Sequence, residues 1–222
     1  MGETELALSG YRRELGLLWP DYDRRCAQVT FAETDAALPK VLGYVVDRRV
    51  VVQAGGNCGQ MVGPLAAEFG VVYTFEPDPR NFVALAVNTA SLSHVFRFQA
   101  ALGARDERGR LRGLQNGDRA HPDNCGAWYM SGDGLIPTLA IDDLGLSVCD
   151  LLLLDIEGAE LPALRGAGET IAHCRPVIVI EDKGLGVQFF GQAPHAAQAH
   201  LIEAHGYRRA ARIKNDTVLV PA

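Results

Sequence analysis

The chain has 222 residues, of which 48% are apolar, 22% charged and 7% aromatic; this is the make-up of one globular domain, not of a fibrous, collagen-like or disordered chain. Lysine and arginine number 21 against 27 aspartate and glutamate, a net charge of −6 that repels polyphosphate and argues against a nucleic-acid partner. A chain of this length buries about two thirds of the surface it exposes when unfolded, so neither a disulfide nor a metal is needed as a staple.

Along the chain, residues 1–45 mix apolar and charged positions at helical spacing (Leu6, Tyr11, Leu15, Leu18), with breaks at Pro20 and Pro39, which predicts an N-terminal helical cap. From Arg49 the texture changes to short β-branched runs separated by helix-length segments, the pattern of βαβ units in a mostly parallel sheet covered on both faces. Strands are predicted at Val50–Ala54, Val71–Glu76, Val95–Ala101, Asp150–Asp155 and Pro176–Glu181. Asp78 or Pro79 should open the second helix, as a cap and a first-turn residue. Residues 103–134, rich in Gly, Asp, Arg and Asn, read as an irregular insertion with at most a short hairpin, and a long loop of this kind is commonly functional. A helix from about Pro194 to His205 should stop at Gly206, followed by strands Tyr207–Ile213 and Thr217–Val220 with Lys214-Asn215-Asp216 as the turn. No repeat or linker divides the chain, so 1–222 is read as a single domain, with the core at 49–183 and a C-terminal helix and strands at 194–222.

The five cysteines, Cys26, Cys58, Cys125, Cys149 and Cys174, are scattered without C-x-x-C spacing, which fits a reducing compartment. Met1-Gly2-Glu3-Thr4-Glu5 lacks the basic and apolar regions of a secretory signal, so a cytoplasmic location is expected. The apolar runs at Leu151–Leu154 and Pro176–Ile180 are far shorter than the roughly 20 residues that span a bilayer, and no membrane partner is expected.

The sharpest local feature is Val51-Val52-Gln53-Ala54-Gly55-Gly56-Asn57-Cys58-Gly59, a buried strand running into a small-residue turn and then a helix. Gly55 and Gly59 let backbone approach a ligand, and Asn57 tolerates a left-handed conformation. Helix-start amides can face a polar or anionic ligand, although tight strand-to-helix turns also use glycine for steric reasons alone. Glu76 follows 21 residues after Gly55, a separation at which an acid can accept hydrogen bonds from both hydroxyls of a ribose. With Pro77 and Asp78 able to begin the next helix, Glu76 has no evident local duty. An adenosine-containing cofactor is therefore expected.

These residues resemble the FkbM-type methyltransferases, within the class I S-adenosylmethionine-dependent superfamily. The resemblance covers about residues 49–183 and is carried by the Gly55–Gly59 turn, Phe75-Glu76-Pro77-Asp78 with Asn81 and Asn88, Gln99-Ala100-Ala101-Leu102-Gly103, Asn124-Cys125-Gly126, and Leu154-Asp155-Ile156-Glu157-Gly158-Ala159-Glu160 with Leu164-Arg165-Gly166-Ala167. It implies an α/β, doubly wound, mostly parallel seven-stranded sheet, the Rossmann-like class I methyltransferase fold, and S-adenosyl-L-methionine as cofactor. It further implies that Gly55, Asn57 and Gly59 pass beneath the methionyl and ribose portions, that Glu76 holds the ribose hydroxyls, that Ala101 flanks adenine, and that the acceptor is a hydroxyl of a sugar, glycan or small natural product; Gly56, Pro77 and Gln53 are assigned to the cofactor site with them. One departure is Gln53, where many class I enzymes carry an acid, so a contact there would be neutral.

Asp155 and Glu157 leave the wholly apolar strand Leu151–Leu154, and carboxylates at such a rim are costly unless paired. Asp155 is assigned to the catalytic and cofactor site and Glu157 to catalysis, while Glu160 suits the start of the next helix as an acid on its dipole. Asp155, Glu181 and Asp182 at neighbouring strand ends could share a divalent cation; neutralisation by Lys183, or a neighbouring Arg, without metal is the competing reading. His121 in the insertion is the candidate general base, against the alternative of a solvated loop histidine, and Trp128 and Tyr129 are candidate walls of the acceptor pocket. The rival functions are N-methylation of an amine or protein side chain, a NAD-dependent oxidoreductase, and a silent binding domain; the oligomeric state, including a homodimer, stays open.

Overall fold

The computed structural model describes residues 8–104, 107–113 and 123–222. The chain opens with a hairpin, β1 (Tyr11–Glu14) and β2 (Leu17–Pro20), followed by α1 (Cys26–Leu42). The expected helical cap is thus half corrected. Leu15 and Gly16 both take positive φ, 52° and 78°, the signature of the tight hairpin turn whose twist suits two antiparallel strands. Asn88 then holds the second strand by accepting from Leu18 N at 2.7 Å and donating to Leu18 O at 2.9 Å, and Trp19 is fully buried behind it. Tertiary pairing overrides a helix-like spacing of apolar side chains. Pro39 does not break α1; the helix carries it in its last turn.

The core follows as β3 (Val50–Ala54), α2 (Val62–Glu68), β4 (Val71–Phe75), α3 (Pro79–Asn88), β5 (Val95–Phe98), β6 (Ala101–Leu102), β7 (Glu107–Gly113) and β8 (Trp128–Leu139). A short 3-10 turn leads to β9 (Leu151–Leu154), α4 (Glu160–Arg165), α5 (Gly168–Cys174), β10 (Val177–Glu181), α6 (Leu185–Phe190), α7 (Ala196–His205), β11 (Tyr207–Ile213) and β12 (Asp216–Pro221). Seven strands form one sheet in the order β11-β12-β10-β9-β3-β4-β5. The five from β5 to β10 run parallel, and β12 and β11 are antiparallel additions at the other edge. The fold is therefore a mixed α/β, mostly parallel doubly wound sheet, as expected.

Each parallel strand is apolar on both sides because both faces are covered. Leu152 and Leu154 of β9 pack with Val52, Phe75, Ile178 and Leu164 on one face, while Leu151 and Leu153 pack with Val51, Val72, Val179 and Leu65 on the other. Full burial of one such leucine contributes about 1.5–3 kcal/mol. Asp150 fastens the entry of this layer: its carboxylate accepts from Arg49 N at 2.7 Å and Val50 N at 3.1 Å and pairs with the Arg49 guanidinium.

Two further expectations are corrected. The third core strand ends at Phe98, and Ala101–Leu102 leaves it to pair with Thr138–Leu139 in a separate three-stranded sheet, β6-β8-β7. The insertion is also not irregular: β7 and β8 form a long antiparallel arm that runs from Glu107 opposite Thr138 to Gly113 opposite Trp128, with one bulge at Gly109/Arg110. Its residues 105–106 and 114–122 lie outside those described. Among the described residues, no helix is long and apolar enough to cross a membrane.

Chain order reverses across the β3/β9 neighbour pair, since β4 and β5 extend one way and β10 the other. In open α/β sheets the crevice outside the carboxyl ends of the strands at this switch point is where ligands bind.

Candidate active site

A cavity of about 390 Å³ opens at that crevice, within the size range of small-molecule sites. Its walls are the ends of β3, β4, β9 and β10, the start of α1, and the hairpin arm through Leu111, Trp128 and Met130.

The turn after β3 wraps the end of β4, with Gly55 N and Gly56 N both donating to Phe75 O, at 3.1 and 2.9 Å. Gly55 has φ +85°, and a Cβ there would overlap the Asp155 carbonyl oxygen, so glycine is required for two strand ends to meet. Gly55 lines the cavity, as does Asn57 at φ 45°. Gly56 and Gly59 do not: Gly56 packs on Thr74 Oγ1 and Leu85, and Gly59 on Leu85 and Thr89. Their small size serves packing of the turn on α3. Gln53 also lies off the cavity, 1% exposed. Its amide donates to Gly55 O at 2.9 Å and accepts from Thr74 Oγ1 at 2.6 Å, which props the turn from beneath.

Glu76 is buried at the cavity wall. Its Oε2 accepts from Asn57 N at 2.7 Å and its Oε1 from Asp78 N at 2.8 Å, so the expectation that it has no local duty is corrected: it ties the glycine turn to the start of α3. Asp78 caps that helix by accepting from Arg80 N and Asn81 N. Burial pushes the Glu76 carboxyl up to about 8, against the pull of the two backbone hydrogen bonds. Each oxygen keeps a lone pair for a further donor. Pro77 and Ala101 line the same cavity.

On the far side of β3, oxygens of Asp155, Glu157 and Glu181 lie within 4.8 Å of one another, and Lys183 Nζ is 2.6 Å from Glu181 Oε1. Burial and the Asp155 charge push Glu157 up to about 8, and burial, that charge and a hydrogen bond with Asp155 push Glu181 up to about 10. Burial pulls Lys183 down, but the three carboxyl groups outweigh it and hold its ammonium above the ordinary range. Glu157 stands at φ 54°, a conformation uncommon for non-glycine residues. Its Oε2 is buried with no hydrogen-bond partner among the described residues. The group thus holds protons at neutral pH beside one amine.

Asp182 is not part of this group. Adjacent strand residues point to opposite faces, and its carboxylate instead meets His195 Nδ1 at 2.5 Å and Gln198 Nε2 at 2.6 Å. The expected Asp155, Glu181 and Asp182 metal triad is corrected, with Glu157 in the place of Asp182. Lys183 supplies the countercharge inside the cluster, so the donor set does not call for a divalent cation. Glu160 accepts from Ile156 N and Gly158 N, the helix-start role its position suggests. Trp128 lines the cavity, whereas Tyr129 stacks on Phe189 at 4.0 Å and does not. His121 lies outside the described residues.

Sequence reading missed the wall formed by Cys26 and Cys125. Both backbone amides donate to Asp23 Oδ1, at 3.1 and 3.0 Å, and Asn57 links their sulfurs, donating from Nδ2 to Cys26 Sγ at 3.1 Å and accepting from Cys125 Sγ at 3.4 Å. The sequence signals were Asp23 placed three residues before Cys26, where a helix-start acceptor belongs, and the Asn124-Cys125-Gly126 segment that carries part of the family resemblance.

A model of the methyltransferase FkbM domain matches residues 57–209, more than half of the chain. No curated protein matches it. Among solved structures it is similar to methyltransferase FkbM from Methylobacillus flagellatus KT, with a TM-score of 0.50 and 20% identity over 80% of this chain and 44% of that one. The present chain therefore spans less than half the length of that protein. It is also similar to precorrin-6y C5,15-methyltransferase from Geobacter metallireducens GS-15, with a TM-score of 0.50 and 13% identity over 92% of this chain and 93% of that one. At these identities the likeness concerns the fold.

Proposed function

The chain belongs to the methyltransferase FkbM domain family, and from that premise we propose that it transfers the methyl group of S-adenosylmethionine to a hydroxyl oxygen of a sugar or small natural product. The observation that carries this reading is one cavity flanked across β3 by two different kinds of carboxyl: Glu76, held by the glycine turn, and the Asp155, Glu157, Glu181 and Lys183 group.

Glu76 and Asn57 hold the ribose, and Pro77 and Ala101 bound the adenosine portion. When bound, the cofactor supplies an electrophilic methyl group, so the protein's task is to aim the acceptor and take its proton. Asp155 is the exposed carboxylate of the group, and it accepts the hydroxyl proton. Glu157 and Glu181, protonated near neutral pH, donate hydrogen bonds that orient the acceptor, and the Lys183 ammonium steadies the charge that Asp155 carries between turnovers. Leu111, Trp128 and Met130 give the acceptor an apolar face and keep water from the reacting atoms. A group of neutral carboxyls and one amine is suited to a polyhydroxylated acceptor and unsuited to a polyphosphate chain. The scattered cysteine spacing supports a cytoplasmic setting.

The test is methyl transfer from labelled S-adenosylmethionine to a panel of hydroxylated and amine acceptors, with calorimetry of S-adenosylmethionine against NAD. Label on oxygen, lost in Asp155→Asn, is the expected result. Label on nitrogen overturns the acceptor class, and tighter binding of NAD overturns the reaction.

A further inference from the structure

Cys26 and Cys125 meet at the cavity wall from segments far apart in the chain, with Asp23 buried behind them. One donor atom from each lies within 4.8 Å of the others. Cys26 is the first residue of α1, and Cys125 sits in the loop that leads into β8. Neither thiol is in a disulfide. We propose that Asp23, Cys26 and Cys125 form a binding site for a thiophilic d¹⁰ cation, Zn²⁺ in the cell.

The donor set has the right chemistry. Two sulfurs and one carboxylate oxygen are ligands that Zn²⁺ takes tetrahedrally, and three protein ligands leave one position open. Sulfurs about 2.3 Å from one ion stand roughly 3.8 Å apart, so the donors need to close by about 1 Å or less. The outer shell is already built: Asp23 is oriented by amides of Cys26, Ala27 and Cys125, the Asn57 amide donates to Cys26 Sγ, and the Arg12 guanidinium, 3.6 Å from Asp23 Oδ2, balances the one negative charge that two thiolates and a carboxylate leave around Zn²⁺. Such partners fix ligand orientation in metal sites. An entry path exists, because Cys26 and Cys125 both line the cavity, while Asp23 lies fully buried behind them. Cys58, buried beside Cys125, adds a third sulfur near the site. The other two cysteines offer nothing equivalent: Cys149 and Cys174 sit at the opposite end of the sheet, where Cys149 is followed by the Asp150 clamp. Binding converts two thiols to thiolates, forms two Zn–S bonds and one Zn–O bond, and releases two protons to solvent. The ion then clamps the start of α1 to the loop before β8 over Asn57, at the wall of the cofactor cavity.

The experiment is titration of the reduced full-length chain with Cd²⁺, followed by sulfur-to-metal charge-transfer absorption, with Zn²⁺ as competitor. One Cd²⁺ per chain is expected, displaced by Zn²⁺, lost in Cys26→Ser and Cys125→Ser and retained in Cys174→Ser. Because the two serine variants alter a buried cluster, iodoacetamide labelling of the wild-type chain supplies an independent readout by peptide mass spectrometry. Zn²⁺ should slow labelling of Cys26 and Cys125 at least tenfold and leave Cys174 unchanged. Absence of saturable absorption, full signal in the Cys26→Ser/Cys125→Ser double variant, or protection falling on Cys149 and Cys174 instead overturns the proposal.

Discussion

With the cofactor seated as proposed, Glu76 would make its binding a proton-linked event. Its carboxyl is buried, and burial raises it to about 8, so at pH 7 about nine molecules in ten carry the proton when the cavity is empty. Two ribose hydroxyls donating to the same group would favour the ionised form and lower it. Binding at pH 7 should then release at most about 0.9 proton, falling to about 0.1 at pH 9, and affinity should rise by up to about tenfold per pH unit between pH 6 and 8. Isothermal titration calorimetry with S-adenosylhomocysteine in buffers of different ionisation enthalpy reads the proton count directly. In Glu76→Gln the linkage should vanish. One oxygen of the amide can still accept a hydroxyl; the other contact is lost, and so is one of the bonds now made to Asn57 N and Asp78 N. Hydrogen bonds to a charged group contribute about 1.5–3 kcal/mol each, so affinity should fall about tenfold to a hundredfold. A buffer-independent enthalpy at pH 7, or equal wild-type affinity at pH 6 and pH 8, refutes the reasoning.

Asp155→Asn should lower methyl transfer by at least about a hundredfold, the usual worth of a positioned base, while the melting temperature, read by differential scanning fluorimetry, stays within a few degrees. Gly55→Ala should destabilise by about 2–3 kcal/mol from a positive φ and the overlap with Asp155 O, which for a chain of this size is a drop of about 5–10 °C in Tm. Glu157 has a folded-state value near 8, above its unfolded one, so its contribution to stability is complete below about pH 4 and is lost as pH rises through 8. Thermal melts of wild-type and Glu157→Gln protein across pH 5–8 should therefore diverge, with a wild-type slope steeper by at most about 1.4 kcal/mol per pH unit; parallel curves would contradict the assignment.

What could be read from the sequence was the part fixed by unbroken burial. Leu151–Leu154 and Val177–Ile180 are apolar because both sheet faces are covered, and Asp78-Pro79 and Gly206 mark helix ends by local chemistry alone. Tertiary effects hid the rest. Tyr11, Leu15 and Leu18 have helical spacing, but positive φ at Leu15 and Gly16 and the grip of Asn88 make the segment a hairpin. The arm formed by β7 and β8 was obscured by its glycines, which permit the bulge at Gly109/Arg110. Within the site, Gly55, Asn57, Glu76, Ala101 and Asp155 do share one cavity. Gln53 and Asp182 were misjudged because a strand sends neighbouring side chains to opposite faces. The Cys26 and Cys125 contacts with Asn57 span 31 and 68 residues, separations at which no sequence spacing signals proximity.

The central claim is that this cavity holds S-adenosylmethionine with its ribose on Glu76 and its reactive end toward Asp155. A crystal structure with S-adenosylhomocysteine measures it most directly. Both ribose hydroxyls should lie within hydrogen-bond distance of Glu76, and the sulfur should face the Asp155, Glu157 and Glu181 group. A ligand bound outside the cavity, or one whose ribose contacts neither Glu76 nor the Asn57 turn, contradicts it.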